Sequence, residues 1–279
     1  MKVPPVTAQR IAVGLMWILA AVTFAVLVFI LAFILVHGLP HVTWSFLTRS
    51  PTSMGREGGI LPMILGTLLV AGLAVLLAAP IGVATAVYLT EYTRAGRLTA
   101  VIRFGADCLA GVPSIIFGLF GFVFFAIALG MGLSVLSGSL TLALMVLPTI
   151  IRTSEEAIRA VPNAYREVSW GLGGTRWQTV IYVVLRAALP GIATGIVLSL
   201  GRSISETAAV MLTAGSALRL PHSLFDSSRT LALHFYLLSR EGISMPNAYA
   251  TASVLIIAIL ALNLLAYALM RRFAVKVDR

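Results

Sequence analysis

The stretch from Arg152 to Gly191, "RTSEEAIRAVPNAYREVSWGLGGTRWQTVIYVVLRAALPG", decides how the rest of the chain is read. It lies between two long apolar runs, yet it is punctuated like folded structure rather than like a linker. Thr153 and Glu156 stand at capping-box spacing, and Pro162 suits the first turn of a second helix. Gly171, Gly173 and Gly174 break that helix after Trp170. Thr175 and Gln178 have capping-box spacing again. The pattern predicts a short helix, a glycine turn and a helix that runs back into an apolar segment. Tyr165, Val168, Trp170, Leu172 and Trp177 would then be exposed apolar surface, lying on lipid headgroups or, as the preferred reading, covered by a partner protein.

Outward from this stretch the chain is a membrane sequence. Of its 279 residues 59% are hydrophobic and only 11% charged, and the mean hydropathy is +1.00. A soluble domain needs roughly twice that charge to cover its surface. Runs long enough to cross about 30 Å of hydrocarbon occupy residues 11–36, 60–89, 104–129, 131–151, 187–214 and 247–270. The expected fold is therefore all-α and polytopic, with six transmembrane helices and a cytoplasmic helix-turn-helix at 153–183, within one transmembrane domain over 1–279. The first run is too long for a signal peptide and has no small-residue cleavage site after it, so it reads as a retained span.

The net charge of +10 does not point to nucleic acid, because the arginines lie between apolar runs and form no aromatic-interleaved basic cluster. Sorted by loop, 14 Lys and Arg residues fall on the side of the 153–183 loop and both termini. Five fall on the other side, and Arg202 alone lies inside a span. The excess of positive charge on the inner side places both termini in the cytoplasm. The single cysteine, Cys108, excludes an intrachain disulfide, and His37, His41, His222 and His234 show no metal-ligand spacing. No metal site is expected.

The segments "REVSWGLGG" and "VVLRAALPG" resemble the EAA loop of ABC-importer permeases, with Glu167 at the glutamate position, Val168 and Ser169 at the two alanines and Gly173 at the glycine. Arg186 departs from the pattern, standing where proline is usual. "APIGVATAVYLTEY", "GVPSIIFGLFG", "LPTIIRTSEEAIRAVP", "GLGGTRWQTV" and "GRSISETAAVMLTAG" extend the resemblance over nearly the whole chain, to the PstA-type permease subunit of phosphate importers. The resemblance implies the type I ABC importer permease fold in a bacterial inner membrane, with half of a phosphate translocation pathway. It also implies a second permease subunit, a cytoplasmic ATPase dimer docked on the loop, and an extracytoplasmic phosphate-binding protein. ATP and Mg belong to the ATPase, and no cofactor to this chain, whose only lysines, Lys2 and Lys276, lie outside any GxxxxGK[ST] motif.

Inside the fifth run, Arg202 and Glu206 are one helical turn apart. On a helical wheel Gly191, Gly195, Ser199, Arg202, Glu206, Ala209 and Thr213 share one arc without a large apolar side chain. A charge inside the bilayer is costly, by about 2.5–3.5 kcal/mol even on insertion scales, and usually marks a pathway. The expected translocation set is Arg202, Glu206, Ser199, Ser203 and Thr207. The resemblance adds Arg152, whose position at the inner end of span four the charge rule alone also explains. A guanidinium fork suits a tetrahedral oxyanion, and Glu206 would neutralise Arg202 at rest. The same pair also reads as a latch between helices. Arg103 and Asp107, also four apart, read as an interfacial pair outside the site.

Ser205 and Ala209 stand where the phosphate family has Gly and Pro in "GETAP", which keeps sulfate or molybdate open as the oxyanion. An ion-coupled secondary transporter is the alternative from another class, and would show inverted repeats and no coupling loop. An intramembrane enzyme lacks a His partner for Ser203 or Ser205.

Overall fold

The computed structural model describes residues 5–93 and 96–277, with backbone alone for 5, 7, 8 and 269–277. Lys2, Arg94 and Arg279 of the charge count lie outside the described residues. Five helical segments are long and apolar enough to cross a membrane: Gln9–His41, Leu61–Tyr92, Val135–Arg159, Arg176–Ser205 and Met245–Ala268. Arg97–Ala110 and Ser114–Ala128 form a helix pair bent by 100°, which makes a sixth crossing if the two count as one span.

In chain order the helices are α1 (Pro5–Gly38), α2 (Trp44–Thr48), α3 (Leu61–Val87), α4 (Arg97–Ala110), α5 (Ser114–Gly121) and α6 (Val135–Arg159). They continue with α7 (Asn163–Gly171), α8 (Arg176–Thr179), α9 (Leu185–Ser205), α10 (Ala208–Thr213), α11 (Leu231–Arg240) and α12 (Met245–Val277). Three π-turns extend them: Tyr88–Tyr92 after α3, Phe122–Ala128 after α5 and Val180–Val184 between α8 and α9. The only strands among the described residues are Pro51–Thr52 and Glu57–Gly58, a small antiparallel hairpin.

The core is centred on α3, α6 and α9. Val70, Ala74 and Ala78 of α3 meet Leu142, Val146 and Ile150 of α6 in one buried cluster, against which α5, α10 and α11 also pack. Without water there is no hydrophobic drive between helices, so close approach depends on small residues at the contacts. Gly195 illustrates this: a Cβ there would lie 2.7 Å from Thr153 Cβ on α6, and one at Gly191 would lie 2.6 Å from Ala157 Cβ. α1 is exposed along most of its length and joins the rest through α12, where Phe33 meets Tyr249 edge-on at 5.9 Å and Ser253 Oγ donates to Ile34 O.

Three expectations change here. The run 104–129 is not one straight span: it breaks at Gly111 to Pro113, because Pro113 has no N–H to donate into a helix and itself takes an extended backbone (φ −58°, ψ 141°) before α5 begins. The capping-box spacing of Thr153 and Glu156 starts no helix. Both lie inside α6, where Thr153 Oγ1 bonds back to Thr149 O, so the inner span simply continues to Arg159. Finally, the fifth run is interrupted at Glu206, whose extended backbone (φ −73°, ψ 132°) ends α9 one residue earlier.

Between α10 and α12, α11 opens with Thr230 accepting from Leu233 N. It buries His234 to 1% exposure beside Arg229, itself buried. Burial, with the neighbouring guanidinium, pushes the imidazole down to about 3. In the unfolded chain it titrates near 6.5, so its contribution to stability is whole above that pH and is lost as the pH falls toward about 3. Thermal unfolding in detergent should therefore fall more steeply between pH 7 and pH 4 for the native chain than for His234→Gln; parallel curves would contradict this.

Candidate functional site

Two regions hold the residues singled out from the sequence: a face of the long apolar helices α9 and α6, and the hairpin of α7 and α8. Along α9 the buried positions are Ala188, Ile192, Gly195, Ser199, Ser203 and Ile204, while Thr194, Leu198, Arg202 and Ser205 are among the exposed ones. The small-residue arc therefore splits. Its glycine and serine part packs inward, with Ser199 Oγ buried without a hydrogen-bond partner among the described residues and Ser203 Oγ donating to Ser199 O. Arg202 faces outward beside Gly201, and makes no hydrogen bond or ion pair with any described residue.

Glu206 does not pair with Arg202. Because α9 ends at Ser205, the wheel loses its register one residue too early. The Glu206 carboxylate turns to the start of α10, where Oε1 accepts from Ala208 N at 3.1 Å and Ala209 N at 3.3 Å. It satisfies amides that the helix break leaves open. Thr207 occupies the N-cap position of α10 and is half-buried.

The neutralised arginine is instead Arg152. Its Nε donates to Asp107 Oδ1 at 2.7 Å, and Nη2 reaches the same oxygen. Arg103, on α4 like Asp107, passes over that aspartate and joins Glu155 of α6 at 2.8 Å, an acid it shares with Arg159. The expected Arg103–Asp107 pair is thus replaced by two bonds between helices. These groups line a cavity of about 200 Å³, with Glu156 and Ile151. Asp107 and Glu155 were not legible as partners because the bend after α4 decides what that helix faces. The antiparallel contacts Gly191–Ala157 and Gly195–Thr153, continued along both helices, place Arg202 about 9 Å from Arg152 along the helix axis.

Residues 78–279 match the family of binding-protein-dependent transport system inner membrane components. The chain belongs to that family. The permease is 32% identical over 275 residues to the probable ABC transporter permease protein YqgI of Bacillus subtilis (strain 168), covering 92% of this chain and 93% of the relative. It is 36% identical over 247 residues to the phosphate transport system permease protein PstA 1 of Mycobacterium tuberculosis (strain ATCC 25618 / H37Rv), covering 86% and 80%. Against PstA of Haemophilus influenzae (strain ATCC 51907 / DSM 11121 / KW20 / Rd) the identity is 31% over 260 residues, covering 92% of each. Among solved structures, the fold resembles the inward-facing MetNI methionine ABC transporter, with TM-score 0.64, 18% identity and coverage of 77% of this chain and 95% of that one. It also resembles a bacterial alginate ABC transporter, with TM-score 0.66, 15% identity and coverage of 94% and 96%. The permease is thus an integral, multi-pass inner membrane component with the type I ABC importer fold.

On the permease's hairpin, Pro162 stands at the N-cap of α7, one residue before the first turn. The turn after α7 closes as a Schellman motif: Gly174 N donates to Ser169 O and Gly173 N to Trp170 O, with Gly173 at φ +80°, a conformation glycine adopts without strain. Thr175 and Gln178 form the capping box that starts α8. Ser169 Oγ bonds Thr179 Oγ1 at 2.8 Å and locks the two arms together. Glu167 and Val168 remain exposed, as do Tyr165, Trp170, Leu172 and Trp177. Tyr165, Val168, Leu172 and Val183 line an apolar groove of about 560 Å³.

Proposed function

We propose that this permease forms half of the pathway of an ATP-driven importer of inorganic phosphate. The observation that carries the reading is Arg202: an exposed guanidinium on a membrane-crossing helix, without a partner among the described residues and one to two turns from a second arginine. Exposed to lipid it would be costly, whereas facing a second permease subunit across a polar path it offers a fork of donors to a tetrahedral oxyanion. The phosphate-permease names of several relatives give the substrate.

In this reading Arg202 and Arg152 pass the anion inward, with Ser199, Ser203 and Thr207 shaping the helix that carries Arg202. Asp107, rather than Glu206, is the resting counter-ion that keeps the inner arginine from trapping its cargo. Glu206 holds α10 in place beside the path. The 153–183 segment is the coupling loop, with Glu167, Val168, Ser169 and Gly173 presenting its apolar groove to a cytoplasmic ATP-binding dimer that carries ATP and Mg. An extracytoplasmic phosphate-binding protein delivers the ion, and both termini are cytoplasmic.

The test is uptake of labelled phosphate by the assembled complex in the presence of excess sulfate or molybdate. Neither is expected to compete. Strong competition by either would move the substrate to that oxyanion, the reading that Ser205 and Ala209 would then explain, and uptake independent of ATP would remove the importer reading altogether.

A further inference from the structure

The cytoplasmic end of α3 carries a feature that the pathway does not use. Its last turn, Tyr88–Tyr92, is a π-helix, in which Thr93 Oγ1 reaches back five residues to Tyr88 O. Such turns insert one residue into a helix and occur often at functional positions. The two final residues of this one each meet a different arm of the hairpin. Glu91 receives Arg166 of α7, with Nη2 to Oε1 at 2.6 Å and Nε to Oε1 at 3.1 Å. Tyr92 receives Arg176 of α8, whose guanidinium carbon lies 5.4 Å from the ring centroid.

The ion pair is enclosed, with side-chain exposures of 11% for Arg166 and 10% for Glu91. Arg166 also donates to the carbonyls of Ile158 and Val161, at 3.1 and 2.8 Å, so one guanidinium joins the ends of α3 and α6 to α7. An exposed ion pair would contribute little, but a desolvated pair with all its neighbours satisfied fixes geometry. Since Ser169 and Thr179 already lock the two arms, the hairpin is a rigid piece held to α3 at two points.

We propose that Glu91 and Tyr92 are the positioning residues through which movement of the hairpin is transmitted to α3. When an ATPase subunit pulls on the apolar groove, α7 and α8 turn together, and the two arginines carry the end of α3 with them. α3 in turn packs along α6, which bears Arg152, so displacement at the cytoplasmic surface reaches the ion path. This rests on the reading that the hairpin docks an ATPase.

The experiment uses the complete transporter in proteoliposomes and measures labelled phosphate taken up per ATP hydrolysed. Glu91→Gln keeps the docking groove intact, so the ATPase subunit should still co-purify and hydrolyse ATP. Uptake per ATP should fall about tenfold, a factor expected for loss of a charge-assisted contact. Glu91→Asp, which keeps the charge, should retain most of it. Tyr92→Leu removes the second attachment while leaving the ion pair whole, and should lower the same ratio. An unchanged ratio in Glu91→Gln and Tyr92→Leu would overturn the proposal, as would loss of the ATPase subunit in step with uptake, which is the mark of an assembly role. Failure of the docking reading itself would show in the native chain, as absence of a co-purifying ATPase.

Discussion

Arg202→Gln is expected to lower phosphate uptake about 10- to 100-fold, because a hydrogen bond to a charged group is worth about 1.5–3 kcal/mol. Glutamine keeps a donor and similar bulk but loses both the charge and the fork. The amount of assembled complex should not change, since the arginine makes no hydrogen bond or ion pair with the described residues and its removal leaves nothing unsatisfied. Arg202→Lys should recover only part of the activity, as a point charge does not match two oxyanion oxygens at once. Uptake assays paired with quantification of the complex would test this. Native uptake by Arg202→Gln would exclude the arginine from the path, and loss of assembly would identify it as an interhelical anchor instead.

Gly195→Leu is expected to have the largest effect on folding. Even a Cβ at this position would lie 2.7 Å from Thr153 Cβ, inside the contact that seats α9 on α6. The same two helices share a buried cluster of Ile158, Ala188 and Ile192, so neither is free to tilt away without opening it. Overpacking of this kind costs about 1–3 kcal/mol where relaxation is partial, and a whole leucine exceeds what a glycine contact absorbs. A lower melting temperature and a poor yield of monodisperse protein in detergent should follow. Gly201→Ala is the control: nothing lies within 4 Å of its added carbon, and stability should hold or rise. Equal melting temperatures for Gly195→Leu and the native chain would show that the α6–α9 contact does not depend on this glycine.

Much of this architecture is legible in one dimension because its signals are local. A run of apolar residues implies a helix through lipid wherever it occurs, since unsatisfied backbone groups are intolerable there. That holds for the runs that became α1, α3, α6, α9 and α12. The turn at Gly173 and the capping box at Thr175 and Gln178 are equally local: each is a contact within a few residues, governed by backbone conformation. The exposure of Val168 and Leu172 follows from their placement on a short hairpin with no second layer over it.

The charged residues were less legible, for a physical reason. Arg202 with Glu206, and Arg103 with Asp107, stand at helical spacing, and spacing predicts a pair only if the helix is unbroken and no better partner approaches. At Glu206 the helix ends, and two free amides of α10 claim the carboxylate. At α4 the bend near Pro113 brings α6 alongside, and each member of the expected pair finds a partner 45 to 52 residues away. The amino-acid sequence by itself determined which segments are apolar enough to cross a membrane and where the hairpin turns. Only the tertiary structure decided how the charged residues pair and which face of α9 is open, because these depend on which helices approach one another, a matter settled by small-residue contacts and helix breaks across the whole fold.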